Sequence, residues 1–158
     1  SFMNSGLAKF IAALLSRWRS RFWRSKASSP PEHALGARGE KLAAKFLKRE
    51  GYKILYRDFR PPDGRGGQVD LVCRDGETLV FVEVKTRSSE EWVRPAAAVD
   101  AERRRRLTRV ALDYLRLIKN PKIKIRFDIV EVLLQDSAIR EIRHLPNSFP
   151  MEHPYRYG

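Results

Sequence analysis

The stretch that decides the fold is GQVDLVCRDGETLVFVEVKTR, residues 67–87. Two runs rich in β-branched and aromatic residues, Gln68–Arg74 and Glu77–Arg87, flank the dipeptide Asp75-Gly76. An Asp-Gly pair between two such runs is typical of a β-hairpin closed by a two-residue turn. The stretch therefore predicts two antiparallel strands joined at this dipeptide.

Two acidic side chains and a lysine fall at one end of the predicted hairpin. A turn at this dipeptide pairs Asp70 with Phe81, so Asp70 and Glu83 share a face as diagonal neighbours about 7–8 Å apart at Cα. Lys85 follows two residues later on the same face. Carboxylate oxygens at this spacing suit Mg²⁺ or Mn²⁺, and a lysine beside the ion can hold an attacking water or offset charge on a phosphate. Spacing alone favours equally a second interpretation, in which all three are solvated charges at strand ends.

Helices are predicted on both sides of the hairpin. Ala34–Glu50 carries an apolar stripe at helical spacing, and Gly51 supplies its end. Asp100 can cap a second helix that runs to about Ile118. Further strands are predicted at Tyr52–Phe59, Lys122–Leu134 and, with a weaker pattern, Ala138–Arg143. This order predicts an α/β domain with a mixed central sheet flanked by helices.

The composition excludes several classes of protein. The chain has 158 residues, 42% of them hydrophobic, and a net charge of +13 with a pI of about 10.4. It can bury a core, which excludes wholesale disorder. No apolar run approaches the roughly 18 residues of a membrane span. Its single cysteine, Cys73, excludes a disulfide scaffold and predicts a reducing compartment, the cytoplasm. The basic charge predicts a polyanionic partner: nucleic acid, anionic lipid or polyphosphate.

The N-terminal region has a distinct composition. Residues 3–27 contain six basic residues and no acidic one, and apolar residues recur among them at helical spacing. This pattern predicts a basic amphipathic helix that contacts a membrane surface, a polyanion or a protein partner. A frayed extension docked by its aromatic residues fits the pattern equally well. The predicted organisation is an N-terminal helix and linker at 1–31, an α/β domain at 32–145 and an irregular C-terminal tail at 146–158.

Four segments of the chain resemble a known family. They are GARGEKLA at 36–43, GQVDLV at 67–72, VFVEVKTR at 80–87 and RFD at 126–128. They look like the YraN-like family of uncharacterised bacterial proteins, which is similar to the archaeal Holliday-junction resolvases and belongs by fold to the PD-(D/E)XK nuclease superfamily. The resemblance covers about residues 33–134. It implies a nuclease-like domain with the restriction-endonuclease-like α-β-β-β-α-β core, to which this chain adds the N-terminal amphipathic helix.

The resemblance also implies a role for individual residues. Asp70 and Glu83 would be ligands of Mg²⁺ or Mn²⁺, and the main-chain carbonyl of Val84 would be a further ligand. Lys85 would be the catalytic lysine. Glu40, from the first helix, would be the acidic residue that completes the site.

One position departs from the family pattern. Where the family usually has Glu two residues before the first metal-binding Asp, this chain has Gln68, which the predicted register places across from Glu83. A neutral amide adds no charge to a cation site. The departure favours a site that holds one cation, or a second one weakly.

The function implied by the resemblance is a metal-dependent endonuclease that hydrolyses phosphodiester bonds in branched or structured DNA. An alternative is a nucleic-acid-binding module with the same fold and little or no catalytic activity, and a further rival is a membrane-surface scaffold that acts through residues 3–27. Resolvase-like cleavage of two strands implies a homodimer. Candidate phosphate contacts are Arg65, Arg87 and Arg94 near the site and Arg103 on the second helix.

Overall fold

Two helices and five strands make up the described part of the chain. The computed structural model describes residues 31–63, 67–88 and 100–151. Its elements, in chain order, are α1 (Pro31–Arg49), β1 (Lys53–Phe59), β2 (Val69–Asp75), β3 (Thr78–Ser88), α2 (Ala101–Leu117), β4 (Lys124–Gln135) and β5 (Ala138–Phe149). The predicted N-terminal helix, Arg65 and Arg94 lie outside the described residues. Neither described helix is long and apolar enough to cross a membrane.

The strands form one mixed sheet in the order β1-β2-β3-β4-β5. Strands β3 and β4 pair in parallel, and the other neighbours pair antiparallel. Parallel neighbours need a crossover connection, and α2 lies within it. The predicted α/β class, with a mixed sheet and helices packed on it, is confirmed.

The central strand β3 is buried on both faces. Leu79 and Phe81 belong to a core cluster with residues of α2, whereas Val80 and Val82 belong to a second cluster with residues of α1. This alternation follows from the period of two along a strand. The predicted buried stripe of α2 is confirmed, since all five of its residues are at most 6% exposed: Leu107, Val110, Ala111, Tyr114 and Ile118.

The hairpin register differs from the prediction by two residues. Asp75 pairs with Thr78, so the turn residues are Gly76 and Glu77, and the predicted pairing of Asp70 with Phe81 is wrong. Gly76 has φ 57°. A turn centred on Asp75-Gly76 would require positive φ at an aspartate as well, whereas the observed turn places glycine first. A slip of two residues preserves the face of every side chain.

The end of the domain also differs from the prediction. The sequence predicts irregular chain from Pro146, but β5 continues to Phe149. β5 is the outer strand of the sheet, where a proline without an N–H group is tolerated because one side of the strand has no partner in the sheet.

A buried carboxylate joins β4 to β5 on the α1 face. Asp128, which is 0% exposed, accepts hydrogen bonds from Arg126 Nε at 2.8 Å and from the backbone N–H of Asn147 at 2.9 Å. His144 Nε2 lies 2.8 Å from its other oxygen. Burial alone raises the pKa of Asp128, but these hydrogen bonds outweigh it and hold the pKa below its usual range.

Helix α1 lies close to β3 at a glycine. A Cβ atom on Gly39 would lie 2.8 Å from Thr86 Cβ and would overlap its hydroxyl oxygen. A Cβ on Gly36, one turn earlier, would meet nothing within 4 Å. Gly39 thus allows the helix to lie on the strand, and it fixes the position of Glu40, the next residue.

We expect Gly39→Ala to lower the free energy of unfolding by about 2 kcal/mol or more, because the added methyl group forces helix and strand apart. Gly36→Ala is the matched control and should raise stability by about 0.5–1 kcal/mol through helix propensity. Urea unfolding of both variants measures the difference. Equal effects from the two substitutions would contradict the close approach.

Asp128→Asn should lower the free energy of unfolding at pH 7 by about 2–4 kcal/mol, since it removes a buried acceptor that several donors share. Because the folded pKa of Asp128 lies below the unfolded value, this stabilisation is present above about pH 4 and is lost as the pH falls through the folded pKa. Thermal unfolding of wild type, D128N and the exposed control Asp136→Asn from pH 3 to 7 tests this. A D128N deficit that is as large at pH 3 as at pH 7 would contradict the assignment.

Candidate functional site

Two carboxylates face each other on neighbouring strands. The last ladder pair of β2 and β3 is Leu71 with Val82, and one further step in the same register places Asp70 opposite Glu83. Both are nearly buried, with 4% and 3% exposure. The sequence predicted a diagonal pair, and the observed register brings the two residues closer to direct opposition.

Backbone and amide donors hold Asp70 in place. The N–H of Val84 donates to Asp70 Oδ2 at 2.8 Å, and Gln68 Nε2 donates to Asp70 Oδ1 at 3.3 Å. Because Asp70 takes the register position opposite Glu83, the prediction that Gln68 lies directly across from Glu83 is wrong. The neutral amide instead hydrogen-bonds the neighbouring carboxylate on its own segment.

The environment of Asp70 favours its protonated form. Burial raises its pKa, and the negative charge of Glu83 raises it further, to about 8. The charge of Glu40 acts in the same direction, while the hydrogen bond from Val84 opposes it. A cation beside Asp70 would favour the charged carboxylate and would lower this pKa again.

Two basic side chains contact Glu83. Arg103 spans the carboxylate with its fork: Nε lies 3.1 Å from Oε1 and Nη2 lies 2.9 Å from Oε2. Lys85 Nζ lies 3.5 Å from Oε1. Asp100 caps α2 and accepts a hydrogen bond from the backbone N–H of Arg103 at 2.8 Å. The cap sets the start of the helix, and Arg103 in its first turn can therefore reach Glu83 with its side chain.

An open cleft lies beside these groups. Its lining residues are Lys85, Asp100, Glu102, Arg103 and Arg106. Arg106 points its guanidinium at Glu102 one turn earlier on α2 and makes an ion pair there. The cleft thus has basic groups from β3 and α2, and two of them, Lys85 and Arg103, also contact Glu83.

The donor set fits a hard divalent cation. Within residues 31–63, 67–88 and 100–151 no three His, Cys, Asp or Glu side chains are close enough to enclose a metal by themselves. Mg²⁺ is commonly bound by one or two carboxylates together with waters and phosphate oxygens, and Asp70 and Glu83 provide such a pair.

The remaining predicted site residues interact with different groups. Glu40, on α1, acts on Asp70 through its charge. Arg87 follows Lys85 by two residues on β3 and is part-buried, and its charge acts on Glu131. The role of the Val84 carbonyl as a ligand stays a prediction, since Val84 meets Asp70 through its N–H. Arg65 and Arg94 lie outside the described residues.

Two features were not predicted from the sequence. One is the contact of Arg103 with Glu83, since Arg103 was assigned to phosphate. The other is Glu131, which pairs in register with Lys85, is 2% exposed, and has an Oε1 with no hydrogen-bond partner in the described part of the chain. A single acidic residue inside the apolar run Ile129–Leu134 was the available signal, because a buried charge is costly.

Asp70→Asn should stabilise the metal-free protein at pH 8. Because the folded pKa of Asp70 is raised to about 8, the wild type loses stability as the pH rises from about 4 to 8, whereas the amide has no such penalty. We expect a gain of several kcal/mol at pH 8, with about 5 kcal/mol as the upper limit set by the shift in pKa, and none at pH 4. Urea unfolding in EDTA measures it, with the exposed Asp136→Asn as control. A D70N variant less stable than wild type at pH 8 would contradict the raised pKa.

Comparison with known proteins assigns the chain to a family. Residues 39–132 match the uncharacterised protein family UPF0102. A UPF0102 protein of Geobacter metallireducens is 41% identical over 118 residues, which cover 75% of this chain and 93% of the relative. One of Pelobacter propionicus is 38% identical over 129 residues, 80% of this chain and 90% of the relative. One of Beutenbergia cavernae is 43% identical over 112 residues, 71% and 92% respectively. The chain therefore belongs to family UPF0102, the YraN-like family that its four motifs indicated.

Proposed function

We propose that this protein is a metal-dependent endonuclease that hydrolyses phosphodiester bonds in branched or structured DNA. The observation that carries the proposal is the buried pair Asp70 and Glu83 with Lys85 beside it, Nζ being 3.5 Å from Glu83 Oε1. Two carboxylates and a lysine at the end of paired strands are also what the resemblance to the PD-(D/E)XK superfamily implies.

Asp70 and Glu83 would hold Mg²⁺ or Mn²⁺, with the Val84 carbonyl as a further ligand. When bound, the ion supplies a Lewis acid that lowers the pKa of water and neutralises phosphate charge. The backbone N–H of Val84 donates a hydrogen bond of 2.8 Å to Asp70 Oδ2 and so orients that carboxylate. Glu40 adds negative charge near this pair and thereby favours the bound cation.

Lys85 is placed to act on the nucleophile. Its side chain is 29% exposed, so its ammonium group reaches both Glu83 and the open cleft. There it can hold the attacking water or offset the charge that develops on the phosphate in the transition state. A lysine in contact with a metal-binding carboxylate is close enough to the reacting atoms for either role.

The charge distribution supports a polyanionic substrate. The net charge is +13, and the cleft beside Glu83 presents Lys85, Arg103 and Arg106. Phosphate contacts of this kind position a nucleic acid without reading its sequence. Arg65, Arg87 and Arg94 are proposed as further contacts. A homodimer that cuts two strands and a cytoplasmic location, where Cys73 stays reduced, belong to the same proposal.

Two observations favour the alternative of a nucleic-acid-binding module with little or no turnover. Gln68 supplies an amide where the family usually has a carboxylate. Arg103 takes up both oxygens of Glu83, which a metal would need. Binding to DNA has the same salt dependence in both cases, so only metal-dependent cleavage distinguishes them.

Cleavage of a labelled four-way junction, a flap and a plain duplex with Mg²⁺ or Mn²⁺ tests the proposal. Asp70→Ala, Glu83→Ala and Lys85→Ala should each lower the rate by about 100-fold or more while DNA is still bound, because each removes a metal ligand or the catalytic amine. Lys45→Ala, at an exposed position of α1, is the matched control for Lys85 and should cut like wild type. Reactions in EDTA should show no cleavage.

Two results would overturn the assignment. Wild type that binds DNA and never cuts in either metal would establish the binding-module alternative. Variants at the three site positions that cut as fast as wild type would show that the chemistry lies elsewhere.

A further inference from the structure

In this structure, both carboxylate oxygens of Glu83 are bound by a cationic side chain of the protein, the guanidinium of Arg103. We propose that Arg103 is the internal counter-cation of Glu83, and that a divalent cation binds by displacing it. The inference rests on the proposed metal site. It goes beyond that site because it assigns to a helix residue the control of metal affinity.

The geometry of the contact supports displacement. Nε and Nη2 of Arg103 engage the two oxygens of Glu83 at 3.1 and 2.9 Å. A bidentate guanidinium–carboxylate pair is among the strongest hydrogen-bonded ion pairs in proteins. A divalent ion bound to the same oxygens would lie a few ångströms from the guanidinium and would be repelled by it. Metal and guanidinium therefore compete for one carboxylate.

The burial of Glu83 explains why such a counter-cation is needed. Its side chain is 3% exposed, and it faces Asp70. An unpaired buried carboxylate is strongly destabilising, so a protein that must fold before it meets its metal needs a positive charge at this point. Lys85, at 3.5 Å from one oxygen, makes a longer contact than the Arg103 fork.

The surroundings of Arg103 give the displaced side chain a place to go. Its side chain is 27% exposed and lines the open cleft with Lys85 and Arg106. Asp100, which caps α2, and Glu102, which pairs with Arg106, lie on the same cleft and make its surface partly acidic, so a cationic side chain can remain there. A guanidinium released there is also positioned to meet a phosphate, whose oxygens it matches in bidentate geometry.

Isothermal titration calorimetry of the metal-free full chain with Mn²⁺ alone tests the proposal without nucleic acid. Arg103→Ala should bind Mn²⁺ about tenfold more tightly than wild type, because the competing cation is gone. Arg106→Ala is the matched control: it removes the same charge from the same cleft without touching Glu83, and its affinity should stay within about twofold of wild type. Arg103→Gln keeps a hydrogen-bond donor without the charge. It should also bind more tightly than wild type, and it carries the test if the alanine variant fails to fold.

Three results would overturn the proposal. Equal or weaker Mn²⁺ binding by both Arg103 variants would show that Arg103 does not compete. Equally tightened binding by Arg106→Ala would show a general charge effect of the cleft. If neither the wild type nor any of the variants binds Mn²⁺, the proposed metal site is wrong as well. Failure of this inference alone is recognised when wild type binds Mn²⁺ and cleaves DNA but the Arg103 variants bind the ion no better.

Discussion

The repulsion between two carboxylates buried face to face is the constraint on which the rest of the site depends. Asp70 and Glu83 are each less than 5% exposed and lie opposite one another on paired strands. Nearby donors lower the cost of that arrangement. The Val84 N–H and the Gln68 amide donate to Asp70, while Lys85 and the Arg103 side chain of α2 contact Glu83. Even with these donors, burial and the charge of Glu83 raise the pKa of Asp70 to about 8. A protein keeps such a cost where it needs the charges, and natural sequences break local rules mostly at functional sites.

A second buried aspartate shows that burial alone does not mark the site. Asp128 is shielded from solvent like Asp70, yet its pKa is lowered, because an arginine, a histidine and a backbone N–H all donate to it. It lies on the α1 face, where it fastens β5 to β4. The difference between the two carboxylates is the supply of donors. The hydrogen bonds to Asp128 stabilise its charged form, whereas the charge of Glu83 acts against the charged form of Asp70.

Local patterns in the sequence predicted the elements and the faces of the sheet, but not the contacts made across the fold. Alternation along Val80–Lys85 was enough to place Glu83 and Lys85 on one face, and the two-residue error in the hairpin register left this unchanged because the side-chain period is two. The turn itself was misplaced because the choice between Asp75 and Gly76 as first turn residue depends on the cost of positive φ. The Arg103–Glu83 contact was beyond local reasoning, since it depends on where the crossover sets α2 on the sheet. The sequence shows Glu131 as a single charge in an apolar run. Its position beside Lys85 is known only from the parallel register of β3 and β4.

The outer strands of the sheet limit how two copies of this protein can associate. β1 carries a register shift and, at Asp58, a backbone with φ 51°, while β5 contains Pro146 and a positive φ at Asn147. Arg140 and Glu141 add exposed charges along β5. Interrupted, charged and proline-containing edges are poor templates for an incoming strand, because they break the regular series of N–H and C=O groups that edge-to-edge pairing needs. Continuous extension of the sheet through these two strands, from one molecule to the next, is therefore disfavoured, which guards this basic protein against fibrous aggregation.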